Sequence, residues 1–290
     1  MKHLLFIFNA LSGKALIKEK LYSVVEFYFE KDFLVTLLPV WKLETMAETI
    51  SQERIDHIVC AGGDGTLNSV ISQYMKIGCT LPIGYIPMGS TNDFAKTLGY
   101  DSDFTNALGQ SCSQRVHDID VGRFNEKYFV YVAAFGSLAE VSYDTPQDIK
   151  NQFGYLAYMM GGIQKIVDLK SYHVKIQADD RQIEDEFLMG LVMNSKSIGG
   201  FKNPLSDMVE LDDGKFEVIL IKTLPTLIEA QQLIADILTG NLESERFIYF
   251  QAESVVVESE PMNWTLDGEF GGKEALVDIK NCARAVRFVY

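Results

Sequence analysis

Ala61-Gly62-Gly63-Asp64-Gly65-Thr66-Leu67-Asn68 leads out of an apolar run, through three glycines, into residues with helical spacing. Glycines at such a turn let the backbone approach a phosphate and aim N–H groups at it. The helix that begins near Thr66 adds the positive end of its dipole. Asp64 is the exception, because a bare carboxylate repels phosphate. It fits if a Mg²⁺ ion lies between the two, or if the carboxylate orients an attacking hydroxyl. Taken alone, the same residues describe a tight turn with Asp64 as a helix cap, and the two readings weigh equally.

A second stretch, Pro87-Met88-Gly89-Ser90-Thr91-Asn92-Asp93-Phe94-Ala95, shifts that balance. It again leaves an apolar run and opens a helix, and it adds hydroxyls, an amide, a carboxylate and a glycine. An ordinary capped helix, with Thr91 or Asn92 as the cap, accounts for one such turn but not for two at neighbouring strand ends. Asn9 with Ser12-Gly13 marks a third polar strand end. The glycine fingerprint of dinucleotide folds and the lysine motif of P-loop enzymes are both missing, so neither binding mode applies.

Strands and helices must hold these turns, and residues 1–122 alternate between the two. Leu4–Phe8, Phe33–Leu38, His57–Ala61 and Ile83–Ile86 read as strands. Between them Ile17, Leu21, Val24, Val25 and Tyr28, then Leu43, Met46, Ala47 and Ile50, then Leu67, Val70, Ile71 and Tyr74 fall at helical spacing. Alternation of this kind predicts right-handed βαβ units and a parallel sheet, with ligands beyond the carboxyl ends of its strands. After about Val121 strand-like runs follow one another: Tyr128–Phe135, Tyr172–Ala178, Ile183–Met193, Phe216–Ile221, Phe247–Phe250, Val255–Val257, Trp264–Leu266, Ala275–Ile279 and Ala285–Val289. They predict an antiparallel, sandwich-like second domain, interrupted by helical stretches near Tyr155–Val167 and Leu227–Leu238. The expected fold is therefore α/β plus all-β, with an α/β domain over 1–122 and a β-rich domain over 123–290.

Composition bounds the function. Of 290 residues 47% are hydrophobic and 23% charged, enough for a sizeable core and against disorder, collagen or a coiled coil. The net charge of -14 excludes a dominant nucleic-acid footprint and a polybasic lipid anchor. That charge is uneven, -4 over residues 1–122 and -10 beyond. Cys60, Cys79, Cys112 and Cys282 have no zinc or redox spacing and read as thiols in a reducing compartment. No apolar run approaches the roughly 20 residues of a membrane span, and the apolar start is too short for a secretory signal. The expected place is the cytoplasm. The four histidines form no ligand pattern, and Trp41 and Trp264 read as packing residues. Tyr155, Tyr158, Met159 and Met160 read as core, although a helix near Phe153–Val167 with Gly161-Gly162 inside it is also suited to flank an acyl site.

The ensemble of motifs resembles the catalytic domain of diacylglycerol and sphingosine kinases, most of all the soluble bacterial lipid-kinase branch. Asn9 with Ser12-Gly13-Lys14, the stretch Gly62–Asn68 and the stretch Pro87–Ala95 carry the resemblance in the first half. It continues through Phe129–Gly136, Lys150 with Gly154-Tyr155, Gly199-Gly200-Phe201, Asp212-Asp213-Gly214-Lys215-Phe216 and Leu266-Asp267-Gly268-Glu269. The resemblance implies two domains with ATP in a cleft and a lipid hydroxyl as acceptor. By position, Asn9, Gly62, Gly63, Asp64, Gly65, Thr66, Asn68, Gly89, Ser90, Thr91, Asn92 and Asp93 match the nucleotide-binding residues. Ser90 replaces the family's more usual threonine and keeps the hydroxyl.

Asp267 and Glu269 match the acidic motif that supplies the general base, with Asp64 as the third catalytic residue. In an extended segment residues two apart face one side, whereas Gly268 offers a bend that would split their roles. Glu269 is taken as proton acceptor and Asp267 as its partner or a member of a metal network, the reverse remaining open. A plainer reading makes the pair a solvated acidic hairpin tip. The resemblance also implies a structural Mg²⁺ held by Asp207, with Asp212 or Asp213 behind it. Here the spacing from Asp207 to Gly214 is one residue longer than usual, and an acidic loop before a strand explains the stretch equally well.

The function so implied is ATP- and Mg²⁺-dependent phosphorylation of a lipid hydroxyl, diacylglycerol giving phosphatidic acid, during transient contact with a membrane surface. A homodimer is left open. One competing reading is a soluble-substrate kinase of NAD kinase type, since those enzymes and phosphofructokinases resemble the chain at Gly-Gly-Asp-Gly. Another is a nucleotide-binding regulatory protein without catalysis, against which Asp64, Asp93, Asp267 and Glu269 argue together.

Overall fold

A computed structural model describes residues 1–12, 16–101, 103–136, 170–198, 201–202, 209–239, 241 and 243–290. Gly13, Lys14, Lys150, Gly154-Tyr155, the stretch 153–167, Gly199-Gly200 and Asp207 lie outside those residues. The chain divides into two compact units, Met1–Ile119 with Arg284–Tyr290, and Asp120–Ala283.

In the first unit β1 (Lys2–Phe8), β2 (Phe33–Pro39), β3 (His57–Gly62) and β4 (Ile83–Pro87) alternate with helices. β1 pairs in parallel with β2 and with β3, and β3 with β4. Leu4–Ile7 and Ile58–Ala61 are wholly buried, as continuous apolar strands covered on both faces must be. α1 (Leu16–Glu30) buries Ile17, Val24 and Tyr28, the stripe its spacing predicts. The second helical stretch divides: Val40–Thr45 forms a 3₁₀ segment and α2 spans Met46–Glu53. α3 (Asp64–Lys76) buries Leu67, Val70, Ile71 and Tyr74, and starts two residues before Thr66. The short α4 (Asp93–Leu98) and α5 (Phe104–Ser111) follow β4. The register Phe8↔Ala61 and Gly62↔Pro87 brings three carboxyl ends to one edge of the sheet.

The second unit is antiparallel. β5 (Val116–Phe124) leads into it and pairs with β6 (Lys127–Phe129), and β7 (Val132–Gly136) pairs with β9 (Arg181–Met193). β8 (Tyr172–Ala178) pairs with β9 at its other end. β10 (Ser197–Ile198) and β11 (Phe201–Lys202) form a small hairpin. β12 (Phe216–Lys222) lies between β9 and β13 (Phe247–Ala252), with α6 (Leu227–Thr239) between β12 and β13 in sequence. β14 (Ser254–Leu266) pairs with β8 through Val255–Ser259 and with β7 through Trp264–Leu266, its register shifting between Glu258 and Met262. The stretches 255–257 and 264–266 are thus one long strand that changes partners at an irregularity, the device that folds one sheet over a core. That core packs Phe124, Phe129, Phe135, Phe187, Phe216 and Trp264, all under 2% exposed.

β15 (Glu269–Val289) likewise joins two predicted strands. Its end, Phe288 and Val289, pairs in parallel with Ile83 and Gly84 of β4, so Ala285–Val289 completes the first unit's sheet. Among the described residues no helix is long and apolar enough to cross a membrane.

Candidate active site

The two glycine turns of the first unit touch backbone to backbone. A Cβ placed on Gly89 would lie 2.7 Å from the Gly63 Cα, and one on Gly62 would lie 2.5 Å from the Thr66 side chain. Only glycine fits such approaches. The Met88 N–H donates to the Gly62 carbonyl at 2.8 Å and links the turns across the strand ends.

Asp64 is the first residue of α3, yet its carboxylate serves another helix. Its two oxygens accept the N–H groups of Asp93 and Phe94, at 3.2 and 3.4 Å, where α4 begins. A carboxylate there is favoured by the orphan donors and dipole of the helix start. Asn92 therefore does not cap α4 with its side chain. It takes the left-handed conformation, with φ of 50°, and closes its own turn by exchanging hydrogen bonds with Gly89 at 2.8 Å each. Asp93 is 2% exposed at the start of α4. The Asn9 side chain donates to Thr66 Oγ1 at 3.0 Å, joining the third strand end to α3. Asn68 and Thr91 are half-buried and Ser90 is exposed. Asn9, Gly62, Gly63, Asp64, Gly65, Thr66, Asn68 and Gly89–Asp93 thus share one edge of the first unit.

In the second unit the chain bends between Asp267 and Glu269. Leu266 pairs with Glu269, and Asp267 and Gly268 take φ of 51° and 81°, the two positive values of a two-residue hairpin turn. Asp267 is 4% exposed, and its carboxylate accepts three backbone N–H groups: Val130 at 2.7 Å, Tyr131 at 2.9 Å and Val132 at 3.0 Å. Its own N–H donates to the Val132 carbonyl at 2.9 Å. Glu269 is exposed at the other side of the turn. Of the two carboxylates, Asp267 holds the hairpin in place and Glu269 is the one exposed to solvent.

Asp212 and Asp213 are exposed, and Asp213 accepts the Lys215 N–H at 2.9 Å. Their loop is held by Asp120, wholly buried, whose carboxylate accepts the Gly214 N–H at 2.7 Å and the Asn281 amide at 3.2 Å. Among the described residues no group of three acidic, histidine or cysteine side chains is arranged to hold a metal. A Mg²⁺ carried on a nucleotide needs less, one or two carboxylates with phosphate oxygens and water. Asp64, beside the glycine turns, has that donor chemistry.

Two contributors escaped the sequence reading. Asp120 is a carboxylate inside a strand, a visible signal with no motif attached. Tyr85 is the one hydroxyl-bearing residue in the run Ile83–Ile86, and its phenol donates to the Gly62 carbonyl at 3.0 Å.

Residues 3–124 match the family described as the diacylglycerol kinase catalytic domain, and residues 132–286 match the YegS C-terminal NAD kinase beta sandwich-like domain. The chain is 32% identical over 279 residues to a diacylglycerol kinase of Bacillus subtilis (strain 168), covering 94% of this chain and 91% of that protein. A diacylglycerol kinase of Staphylococcus saprophyticus is 32% identical, covering 92% of this chain and 88% of that one. The crystal structure of a diacylglycerol kinase from Bacillus anthracis superposes with a TM-score of 0.80 at 22% identity, covering 100% of this chain and 97% of that one.

Proposed function

We propose, from the premise that the chain belongs to the diacylglycerol kinase family and is a kinase transferring phosphate to an alcohol, that the alcohol is a lipid hydroxyl. The acceptor we assign is diacylglycerol, with ATP as donor and phosphatidic acid as product. The naming of relatives as diacylglycerol kinases over nearly their whole length supports this acceptor. The observation that carries the donor half is the contact of the two turns at Gly63 and Gly89, beside which the Asp64 carboxylate, at the start of α3, accepts the first N–H groups of α4.

Phosphoryl transfer passes through a loose transition state, so positioning and charge neutralisation count for more than covalent chemistry. In this reading the turn from Gly62 to Thr66 holds the phosphates through backbone N–H groups, and Asn9 fixes Thr66. Asp64 would hold Mg²⁺ together with the phosphates; when bound, the ion supplies neutralisation of their charge. Glu269 takes the proton of the lipid hydroxyl as its oxygen bonds to the γ-phosphorus and the bond to the β-phosphate oxygen breaks, releasing ADP. Asp267 holds the hairpin that presents Glu269. The acceptor is met at a membrane surface, transiently, because a chain of net charge -14 has no general attraction to anionic lipid.

The test is ATP-dependent phosphorylation by the purified chain with diacylglycerol, phosphatidylglycerol, sphingoid bases and NAD offered separately. Phosphatidic acid formed from diacylglycerol supports the reading. Transfer to NAD alone, or to none of them, refutes it.

A further inference from the structure

Tyr85 is wholly buried in β4 between Gly84 and Ile86. A hydroxyl in a strand covered on both faces gives up its water and costs stability unless it is paired. Here it is paired, donating to the Gly62 carbonyl at 3.0 Å. The same carbonyl accepts the Met88 N–H at 2.8 Å, so two donors hold it. Tyr85 is itself tied down. Its backbone N–H donates to Tyr100 Oη at 3.0 Å, the Tyr100 hydroxyl donates to the Val289 carbonyl, and the two rings meet edge to face at 5.9 Å. Burial, with Asp64, Cys60 and Tyr100 nearby, holds the Tyr85 phenol well above its ordinary value of 10, so it stays a donor.

The Gly62 carbonyl and the Gly63 N–H belong to one peptide plane. Fixing the carbonyl direction therefore fixes the opposite edge of that plane, at the point where the chain turns into Asp64 and α3. We propose that Tyr85 is a positioning residue for the donor nucleotide, its hydroxyl setting the orientation of the Gly62–Gly63 peptide and hence of the N–H groups that meet the phosphates. The proposal rests on the nucleotide-binding reading of this turn.

Tyr85→Phe removes one oxygen and keeps the ring. Tyr28→Phe is the matched control: Tyr28 is equally buried in the same unit, and its hydroxyl bonds Ser111 Oγ at 2.6 Å rather than the turn. With ATP and diacylglycerol varied in turn, Tyr85→Phe should raise KM for ATP about 5- to 10-fold, the loss of one buried hydrogen bond. KM for the lipid should stay put, and Tyr28→Phe should leave both constants unchanged. The ATP dissociation constant, measured by calorimetry, should move with KM. A Tyr85→Phe protein with unchanged ATP affinity overturns the proposal, as does an equal loss in Tyr28→Phe, or a Tyr85→Phe chain that fails to fold. A wild type that binds ATP but phosphorylates no acceptor defeats the functional reading instead, and the calorimetric comparison still decides the role of Tyr85. No ATP binding by the wild type defeats both.

Discussion

Asp267→Asn should cost stability first and chemistry second, while Glu269→Gln should do the reverse. The Asp267 carboxylate satisfies three buried N–H groups, two through one oxygen and one through the other. An amide has a single acceptor oxygen, so in either orientation at least one of those donors faces an NH₂ group. A buried donor left without a partner costs about 1–3 kcal/mol, and the surviving bonds lose their ionic acceptor, giving about 3 kcal/mol in all. The left-handed backbone adds nothing, because asparagine tolerates it at least as well as aspartate. For a unit of this size that is a melting temperature lower by roughly 6–12 °C. Glu269 is exposed on the far side of the turn, so Glu269→Gln should melt with the wild type. Its phosphoryl-transfer rate should fall by about 10²–10⁴, the usual contribution of a general base. Scanning calorimetry beside a lipid-phosphorylation assay reads both. If Asp267→Asn melts with the wild type while losing all activity, the structural role given to Asp267 is wrong.

Three other substitutions probe the same account. Glu217, 1% exposed on β12, has its carboxyl pushed from an ordinary 4.5 up to about 7 by burial, with Asp213 and Glu210 adding repulsion against the hydrogen bond from Gln251. A raised folded value means that the native state binds the proton more tightly, so stability present below pH 4.5 is lost as pH rises through 7. Glu217→Gln should therefore stabilise the chain by about 3 kcal/mol at pH 8.5 and hardly at all at pH 4.5, read by denaturant titration at both; a gain independent of pH would contradict this origin. Gly89→Ala places a methyl 2.7 Å from the Gly63 Cα, and the turns must part; ATP affinity by calorimetry should fall about tenfold or more. Asp64→Asn keeps one acceptor for the start of α4, so it should abolish turnover at a stability cost of only about 1 kcal/mol, measured by activity and thermal melting.

The regular elements were legible because they obey a period. Leu4–Phe8 and Ile58–Ala61 are unbroken apolar runs, and Ile17, Val24 and Tyr28 mark a helix stripe. Both glycine turns were visible for the same local reason. The use made of Asp64 was not, because its partners lie 29 and 30 residues on, and only the register of β3 against β4 brings them near. For Asp267 and Glu269 the sequence offered both one shared face and a bend at Gly268, and the pairing of Leu266 with Glu269 selects the bend; the donors that Asp267 accepts, Val130, Tyr131 and Val132, lie too far back in the chain to be read locally. Alternation identified Ala285–Val289 as a strand but contained nothing to say that β4 would be its neighbour. Tyr85 looked like one more apolar strand residue, since a phenol declares its role only when its acceptor is known.

The most direct measurement is transfer of the γ-phosphoryl group of labelled ATP to diacylglycerol in mixed micelles, with wild type and Glu269→Gln run side by side. Labelled phosphatidic acid from the wild type and at least about 100-fold less from the variant, at equal melting temperature, is the result expected. Equal label from both proteins, or label appearing in NAD and never in lipid, would contradict the account.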